Sequence, residues 1–456
     1  MFSRPNVFSD TSVISLGHNV NIIFQAILSS HYRTQKGARS TKMSDSKGIV
    51  SRAVGFLKRQ ESAYSVNMIR RSVENFALML VQQYQSIYLI ALGANSVQVG
   101  LVNSLAGVGT TLTSLPAGWA IDRYGLKKTF LFGIIFMAVG AFIYGIANNW
   151  LLTIPAMFIF TLAARVNQTS CPVVCGSALV NQDRAVGMQL CDSLAAISGI
   201  IAPIVGATVI AVSGGMNADG IRPLFFIQLV VLAVELVIVL KWFSNPRSRL
   251  GVQPRRSLTG GIREVMAKGV AVKRFLLYQS VMTVPFYLNA IYIPLYASQV
   301  KGADAFTLGG MATASLLVPL ILSVPSGRLA DIFGRKRVVY LCIPLYCASL
   351  VILALAPVGN SVMIILAGIF QGFYMLGMVT GNAMRAELVP ISLLGSWSGL
   401  LGLFGGVVCI IVPISAGVLW NSIQPTAVLL FLIASSAIGG VVLTSIPETL
   451  KLKKAE

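Results

Sequence analysis

Charge is what this chain has least of. Asp, Glu, Lys and Arg make up 11% of its 456 residues, where a domain bathed in water carries about a quarter. An ordinary soluble globule is excluded, and 55% hydrophobic content excludes a disordered or collagen-like chain. Acid is scarcer than base, 15 residues against 35, which leaves a net charge of +20. A nucleic-acid binder would show such base on a soluble folded surface. Here the base lies between long apolar runs, so the expected partner is a lipid bilayer and no nucleic acid. The two histidines, His18 and His31, precede every apolar run, so neither can relay protons inside a membrane. Cys171, Cys175, Cys191, Cys342, Cys347 and Cys409 lie in or beside apolar segments, where a thiol packs as a small hydrophobe. Cys171 and Cys175 stand one helical turn apart, but no His, Asp or further Cys nearby completes a metal set. No phosphate-cradling Gly-x-x-x-x-Gly-Lys-Ser/Thr loop and no nucleophile motif is present, so neither ATP hydrolysis nor any other enzyme activity is expected, and no cofactor.

What is present is length of apolar chain. A helix crossing a bilayer takes about 20 mostly apolar residues, because each rises 1.5 Å. Twelve runs meet that rule. They cover about 73–94, 97–120, 129–147, 150–172, 187–212 and 222–242 in the first half. The second half supplies about 275–298, 306–327, 337–357, 360–383, 395–420 and 425–446. They are too long for barrel strands and lack the alternation of a lipid-facing strand. The expected fold class is an all-α membrane protein of twelve transmembrane helices. Six-helix bundles are expected over 73–243 and 275–446, with a basic disordered tail over 1–72, a basic linker over 244–274 and a short tail over 447–456.

Lys and Arg gather on one side of this pattern. Eleven precede the first run, against Asp10, Asp45 and Glu61. Arg123, Lys127 and Lys128 follow the second run, and Arg328, Arg335, Lys336 and Arg337 follow the eighth. The linker from Arg247 to Arg274 holds eight more against Glu264. The other side has Asp219 with Arg222, and Lys301 with Asp304. The positive-inside rule then places both termini and the linker in the cytoplasm, with the chain in a plasma or inner cell membrane. Residues 1–60, rich in Arg and Ser and poor in acid, accommodate three readings. They are a tail lying on an anionic leaflet, an organelle transit peptide, or a leader ahead of a start at Met43.

The two halves echo each other. Leu115-Pro-Ala-Gly-Trp-Ala-Ile-Asp122-Arg-Tyr-Gly125-Leu-Lys-Lys128 aligns with Val324-Pro-Ser-Gly-Arg-Leu-Ala-Asp331-Ile-Phe-Gly334-Arg-Lys-Arg337 at a constant offset of 209 residues. Pro203 and Pro413 echo one residue out of that register. Repeated halves joined by a flexible linker are the pattern of transporters whose two bundles rock about a central site. The segment Gly-x-x-x-Asp-Arg-x-Gly-x-Lys-Lys resembles the signature of the major facilitator superfamily. It is matched at Gly118, Asp122, Arg123, Gly125, Lys127 and Lys128, and more loosely at Gly327, Asp331, Gly334, Arg335, Lys336 and Arg337. The resemblance implies the major facilitator fold over about 70–450 and a latch at the cytoplasmic end that holds the bundles together. Gly118 lets another helix approach, Gly125 permits the tight turn, and Asp122 can accept from backbone N–H groups or an Arg. The lysines serve either that latch or only topology.

A charge at mid-membrane costs about 2.5–3.5 kcal/mol, so each one asks for a reason. Arg165 lies in the fourth run and is followed by Gln168. The family has an Arg there ahead of a Gln-Gly pair tied to proton coupling, and Thr169 replaces that Gly. The resemblance thus points to Arg165 for proton coupling, with Asp192 and Glu235 as carboxylates on the same side. Asp192 is within reach of Arg165, and either carboxylate could instead snorkel to the boundary. Glu74 reads as interfacial. In the family, helices one, four, seven and ten line the substrate cavity. That makes Gln82, Gln83, Gln85, Gln168, Gln279, Tyr287, Asn289, Gln371 and Tyr374 the cavity candidates, some of which could merely bridge helices. Ser198 to Ala207 around Pro203 resembles a Gly-Pro segment of the superfamily's drug/proton antiporters. Gly395, Gly399, Gly402 and Gly406 form a stripe suited to close helix contact.

These readings together predict a secondary transporter of small organic solutes working by alternating access. It would be monomeric, with protons as the coupling ion and efflux as the direction. The alternatives are metabolite uptake by symport or facilitated diffusion and, from another class, a transporter-derived receptor or scaffold.

Overall fold

The computed structural model describes residues 61–179, 184–245, 258–267, 269–389 and 393–448. The expected tail over 1–60, most of the short tail after 446, the side chains of Asp122 and Cys171, and the surroundings of Gly118 and Gly395 lie outside what is described. All regular structure among the described residues is helical. The first half holds α1 (Ser62–Gln82), α2 (Gln85–Ala91), α3 (Ser96–Tyr124), α4 (Leu126–Ile146), α5 (Trp150–Ala178), α6 (Arg184–Val212) and α7 (Ala218–Trp242). A short helix, α8 (Leu258–Ala267), stands in the linker. The second half holds α9 (Val270–Gln299), α10 (Ala305–Phe333), α11 (Arg335–Leu355), α12 (Ser361–Glu387), α13 (Leu394–Ser422) and α14 (Pro425–Thr444). With α1 and α2 taken as one interrupted span, the described residues hold twelve helical spans in two bundles of six, nine of them helices long and apolar enough to cross a membrane.

Local chemistry explains where the helices start. Six spans begin at the end of the molecule away from the Lys/Arg-rich loops; α14 starts on Pro425, and the other five have an Asn or Asp cap. Asn95, Asn149, Asn217, Asp304 and Asn360 each accept from a backbone N–H in the first turn of their helix. At the opposite, basic end, Gly125 (φ 80°) and Gly334 (φ 102°) make the turns into α4 and α11 with a left-handed backbone that a Cβ would strain. The lateral surface is apolar: Phe136, Val230, Val234, Leu341, Leu355 and Val441 are exposed, as side chains facing lipid would be.

The first span departs from its hydropathy. It starts at Ser62, about a dozen residues ahead of the apolar run, and breaks at Gln83 and Tyr84. Arg70, Arg71 and Glu74 depress the hydropathy of its first half, yet Arg70 and Glu74 are buried there because they pair with each other and with Glu235.

Candidate functional site

The two bundles meet along α3 against α13 and along α6 against α10. At the end away from the basic loops this seam is closed, and the closure obeys the repeat. The Tyr84 hydroxyl contacts Pro203 O (3.0 Å) in its own bundle and Ala305 O (3.2 Å) at the start of α10 in the other. The Tyr292 hydroxyl contacts Pro413 O (2.8 Å) and, across the seam, Ser96 O (3.0 Å) at the start of α3. Ser96 and Ala305 stand one repeat apart, and so do Gly100 and Gly309. Those two glycines let the proline carbonyls in: a Cβ on Gly100 would lie 2.3 Å from Pro413 O, and one on Gly309 2.8 Å from Pro203 O. Each clasp thus uses a tyrosine, a kinked helix and a glycine.

Toward the basic end the seam opens. On α13, Gly406 is tight against Thr111 of α3, whereas a Cβ on Gly402 or Gly399, one and two turns further along the same stripe, meets nothing within 4 Å among the described residues. Gly327 of α10 is open in the same way. Midway along the seam, Cys409 lies against Gly107. The guanidinium of Arg165, on α5 of the first bundle, acts electrostatically on both Cys409 and Tyr287 of the second. Arg165 therefore faces the gap between the bundles, at mid-depth.

The signature segments sit at the basic end. Lys127 donates its backbone N–H to Asn245 Oδ1 (2.9 Å) and its ammonium to Leu240 O (3.0 Å). Lys336 does the same in the second bundle, from its N–H to Glu448 Oε2 (3.2 Å) and from its ammonium to Thr444 O and Ile446 O (both 2.7 Å). Each lysine therefore ties the third helix of a bundle to the sixth helix of that bundle. Gly125 and Gly334 lie under Asn245 and Glu448, and Arg335 also donates its N–H to Glu448 Oε1 (3.0 Å). Arg123 is exposed beside the Tyr124 ring, and Lys128, Arg328 and Arg337 are exposed. Arg335 pairs with Glu387 at 3.2 Å and Asp331 at 3.8 Å, and the Asp331 side chain is 70% exposed.

The first bundle has its own arginine between two carboxylates, but deep inside. Arg70 Nη1 donates to Glu74 Oε2 (2.7 Å) and to Glu235 Oε1 (2.8 Å), and Arg70 Nε donates to Asn67 Oδ1 (3.3 Å). The guanidinium lies 4.2 Å from the Phe130 ring centroid. Side-chain exposures are 0% for Arg70, 5% for Glu74 and 0% for Glu235. Glu74 also lines a cavity of about 300 Å³ with Arg71, Gln168, Cys175, Cys191 and Asp192.

Of the three coupling candidates, Arg165 faces the seam, Glu235 pairs with Arg70, and Asp192 is exposed and pairs with Arg71 at 2.7 Å. The cavity candidates divide. Gln85 donates to the Tyr144 hydroxyl (3.0 Å), Asn289 accepts from Tyr346 (2.7 Å) and Tyr374 donates to Met282 O (2.6 Å), all inside one bundle. Gln168 is exposed to the cavity beside Glu74. Gln82, Gln83, Gln279, Tyr287 and Gln371 are half-buried, and Gln83 Oε1 has no hydrogen bond among the described residues. Sequence reasoning missed Arg70, Tyr84, Tyr292, Asn245 and Glu448. The Arg70-x-x-x-Glu74 spacing was an available signal, since residues four apart share a helix face.

The model of the Major Facilitator Superfamily matches residues 63–312 and 275–456. The probable nitrate/nitrite antiporter NarK1 of Thermus thermophilus is 26% identical over 255 residues, which are 54% of this chain and 56% of that protein. The probable galactarate/D-glucarate transporter GarP of Escherichia coli is 20% identical over 385 residues, 75% of this chain and 84% of that protein. The crystal structure of the nucleoside transporter NupG superposes with a TM-score of 0.68 at 14% identity, covering 84% of this chain and 98% of that one.

Proposed function

Since this chain belongs to the Major Facilitator Superfamily and is a multi-pass membrane transporter, we propose that it carries small anions by alternating access, with protons as the coupling ion. The observation that carries the anion is Arg165, a guanidinium at mid-depth acting on side chains of the opposite bundle. A planar guanidinium matches a carboxylate or nitrate oxygen pair. Two transporters similar in sequence have nitrate, nitrite, galactarate and glucarate in their names, all anions, whereas another is named for multidrug resistance.

With the basic end in the cytoplasm, the conformation described here is open inward. An anion entering against an interior-negative potential is opposed by about 2.3 kcal/mol per charge per 100 mV. A proton moving with it cancels that charge, which favours proton symport and uptake. Proton-driven efflux, the direction read from the Pro203 segment, is the second reading. The antiporter likeness of that segment supports it, as does the similarity to a nitrate/nitrite antiporter.

Proteoliposomes separate the two. Nitrate, glucarate and a neutral sugar are offered with and without a pH gradient. Symport predicts anion accumulation on the side toward which protons flow, and antiport predicts depletion there. Arg165→Gln should lower anion flux at least tenfold while leaving the protein folded. Equal flux of nitrate and glucarate in wild type and Arg165→Gln would overturn the anion assignment.

A further inference from the structure

Arg70, Glu74 and Glu235 carry one positive charge against two negative ones if both carboxylates are ionised. A net buried negative charge is expensive. Besides the Arg70 hydrogen bonds, Glu74 Oε1 and Glu235 Oε2 have no hydrogen-bond partner among the described residues. Among the described residues, the charges that act on Glu235 are Glu74 and Arg70.

The other described titratable groups on the helices packed against α1 and α7 are engaged elsewhere. Arg71 holds Asp192 of α6, Lys127 of α4 holds Leu240 O, and Asp219 pairs with Arg222 at the far end of α7. Tyr64 donates to Gly187 O, Tyr88 of α2 to Tyr144 O, and Tyr144 of α4 meets Gln85. Cys175 of α5 lies by Asn67, Cys191 of α6 lines the cavity, Arg165 of α5 faces the other bundle, and Lys128 and Lys241 are exposed.

We infer that Arg70, Glu74 and Glu235 form a proton-binding site: two carboxylates share one proton across a guanidinium, and the proton exchanges through the cavity that Glu74 lines. Protonation converts one carboxylate to a carboxylic acid and takes the cluster from −1 to neutral. One of the orphaned oxygens gains a hydrogen in the process, and no other bond changes. Glu74 is the entrance, because it touches both the cavity and Arg70, while Glu235 is sealed behind it. The inference rests on the proposed proton coupling and gives that proton an address.

The test uses the full chain in lipid nanodiscs, pH steps alone and no solute, so it stands apart from whether anions are the substrate. Infrared difference spectra are recorded for wild type, Glu74→Gln, Glu235→Gln and, as a control, Glu387→Gln. Either substitution at the site leaves a neutral cluster, in which the remaining carboxylate is ionised opposite Arg70. Wild type and Glu387→Gln should therefore lose one carboxylic-acid C=O band as the pH is raised, and Glu74→Gln and Glu235→Gln should lack it. The same band in all four proteins, or in none, would overturn the assignment. In proteoliposomes, wild type should show solute counterflow, and in Glu235→Gln pH-driven accumulation should fall to the level seen without a gradient. Accumulation that still follows the pH gradient in both site variants would also overturn it. Loss of counterflow in wild type would instead count against the transport reading alone.

Discussion

The two halves of the molecule agree at one end and disagree at the other. Their clasps are copies: Tyr84 with Pro203 and Gly309, and Tyr292 with Pro413 and Gly100, each bridging to the first residue of the opposite half's second span. Their arginine clusters are not. Arg70 sits between two buried carboxylates, whereas Arg335 sits between Glu387 and an Asp331 open to water. Composition is the same, one cation and two anions, but burial differs. Water around Asp331 screens the excess negative charge, and the protein around Glu235 cannot. The shared features suit motion that both halves make together. The unshared one suits chemistry with a direction.

Removing each arginine tests that contrast most severely. Arg70→Ala strands two carboxylates in the interior and is expected to cost about 3–5 kcal/mol, read as a large fall in thermal stability in detergent. Arg335→Ala, which leaves Glu387 without its partner but Asp331 open to water, should cost less, about 1–3 kcal/mol. Equal losses would erase the distinction between the two sites.

The clasps should respond alike. Gly100→Ala and Gly309→Ala each push a Cβ into a proline carbonyl and should cost the closed seam about 1–3 kcal/mol. Labelling from the closed face of a cysteine placed at Thr111 would report the opening. A response at one glycine alone would show that the clasps are not equivalent. Tyr84→Phe and Tyr292→Phe, which remove only hydroxyls, should weaken closure by a smaller and equal amount, about 0.5–1.5 kcal/mol per hydrogen bond.

The smallest contrast lies at the caps. Asn95 and Asp304 occupy equivalent positions one repeat apart, and each accepts a backbone N–H at the start of its helix. Only Asp304 titrates. Hydrogen bonds from Thr307 hold its carboxyl below the ordinary value, so its contribution is present above that ordinary value and fades as pH falls through the lowered one. Asp304→Ala should cost about 1 kcal/mol at neutral pH and less in acid. Asn95→Ala should cost a similar amount at both.

Much of this was legible in the sequence because it rests on period and repeat. Apolar runs of spanning length gave the helices, and the 209-residue offset paired the bundles. Arg165 stood out as a charge in an apolar run. What escaped notice depends on contacts between distant residues. Arg70 looks like one more basic residue ahead of a membrane run, and only folding sets Glu235 against it, 165 positions later. The tyrosine clasps were hidden for the same reason, since aromatic residues in membrane helices are common and their partners here are backbone carbonyls. The signature lysines read equally as a latch between bundles or as topology signals. In the structure Lys127 and Lys336 each tie helices of one bundle together, which hydropathy could not reveal.

Rocking of the bundles is the claim on which the rest depends, and paired distance measurements address it directly. Spin labels would be placed at Asn148 and Val358, exposed at the closed end, and in a second protein at Lys128 and Arg337, exposed at the basic end. Pulsed electron resonance would then follow both pairs as pH and solute change. Alternating access predicts that the closed-end pair lengthens under the conditions that shorten the basic-end pair. Two pairs that stay fixed, or that lengthen together, would contradict it.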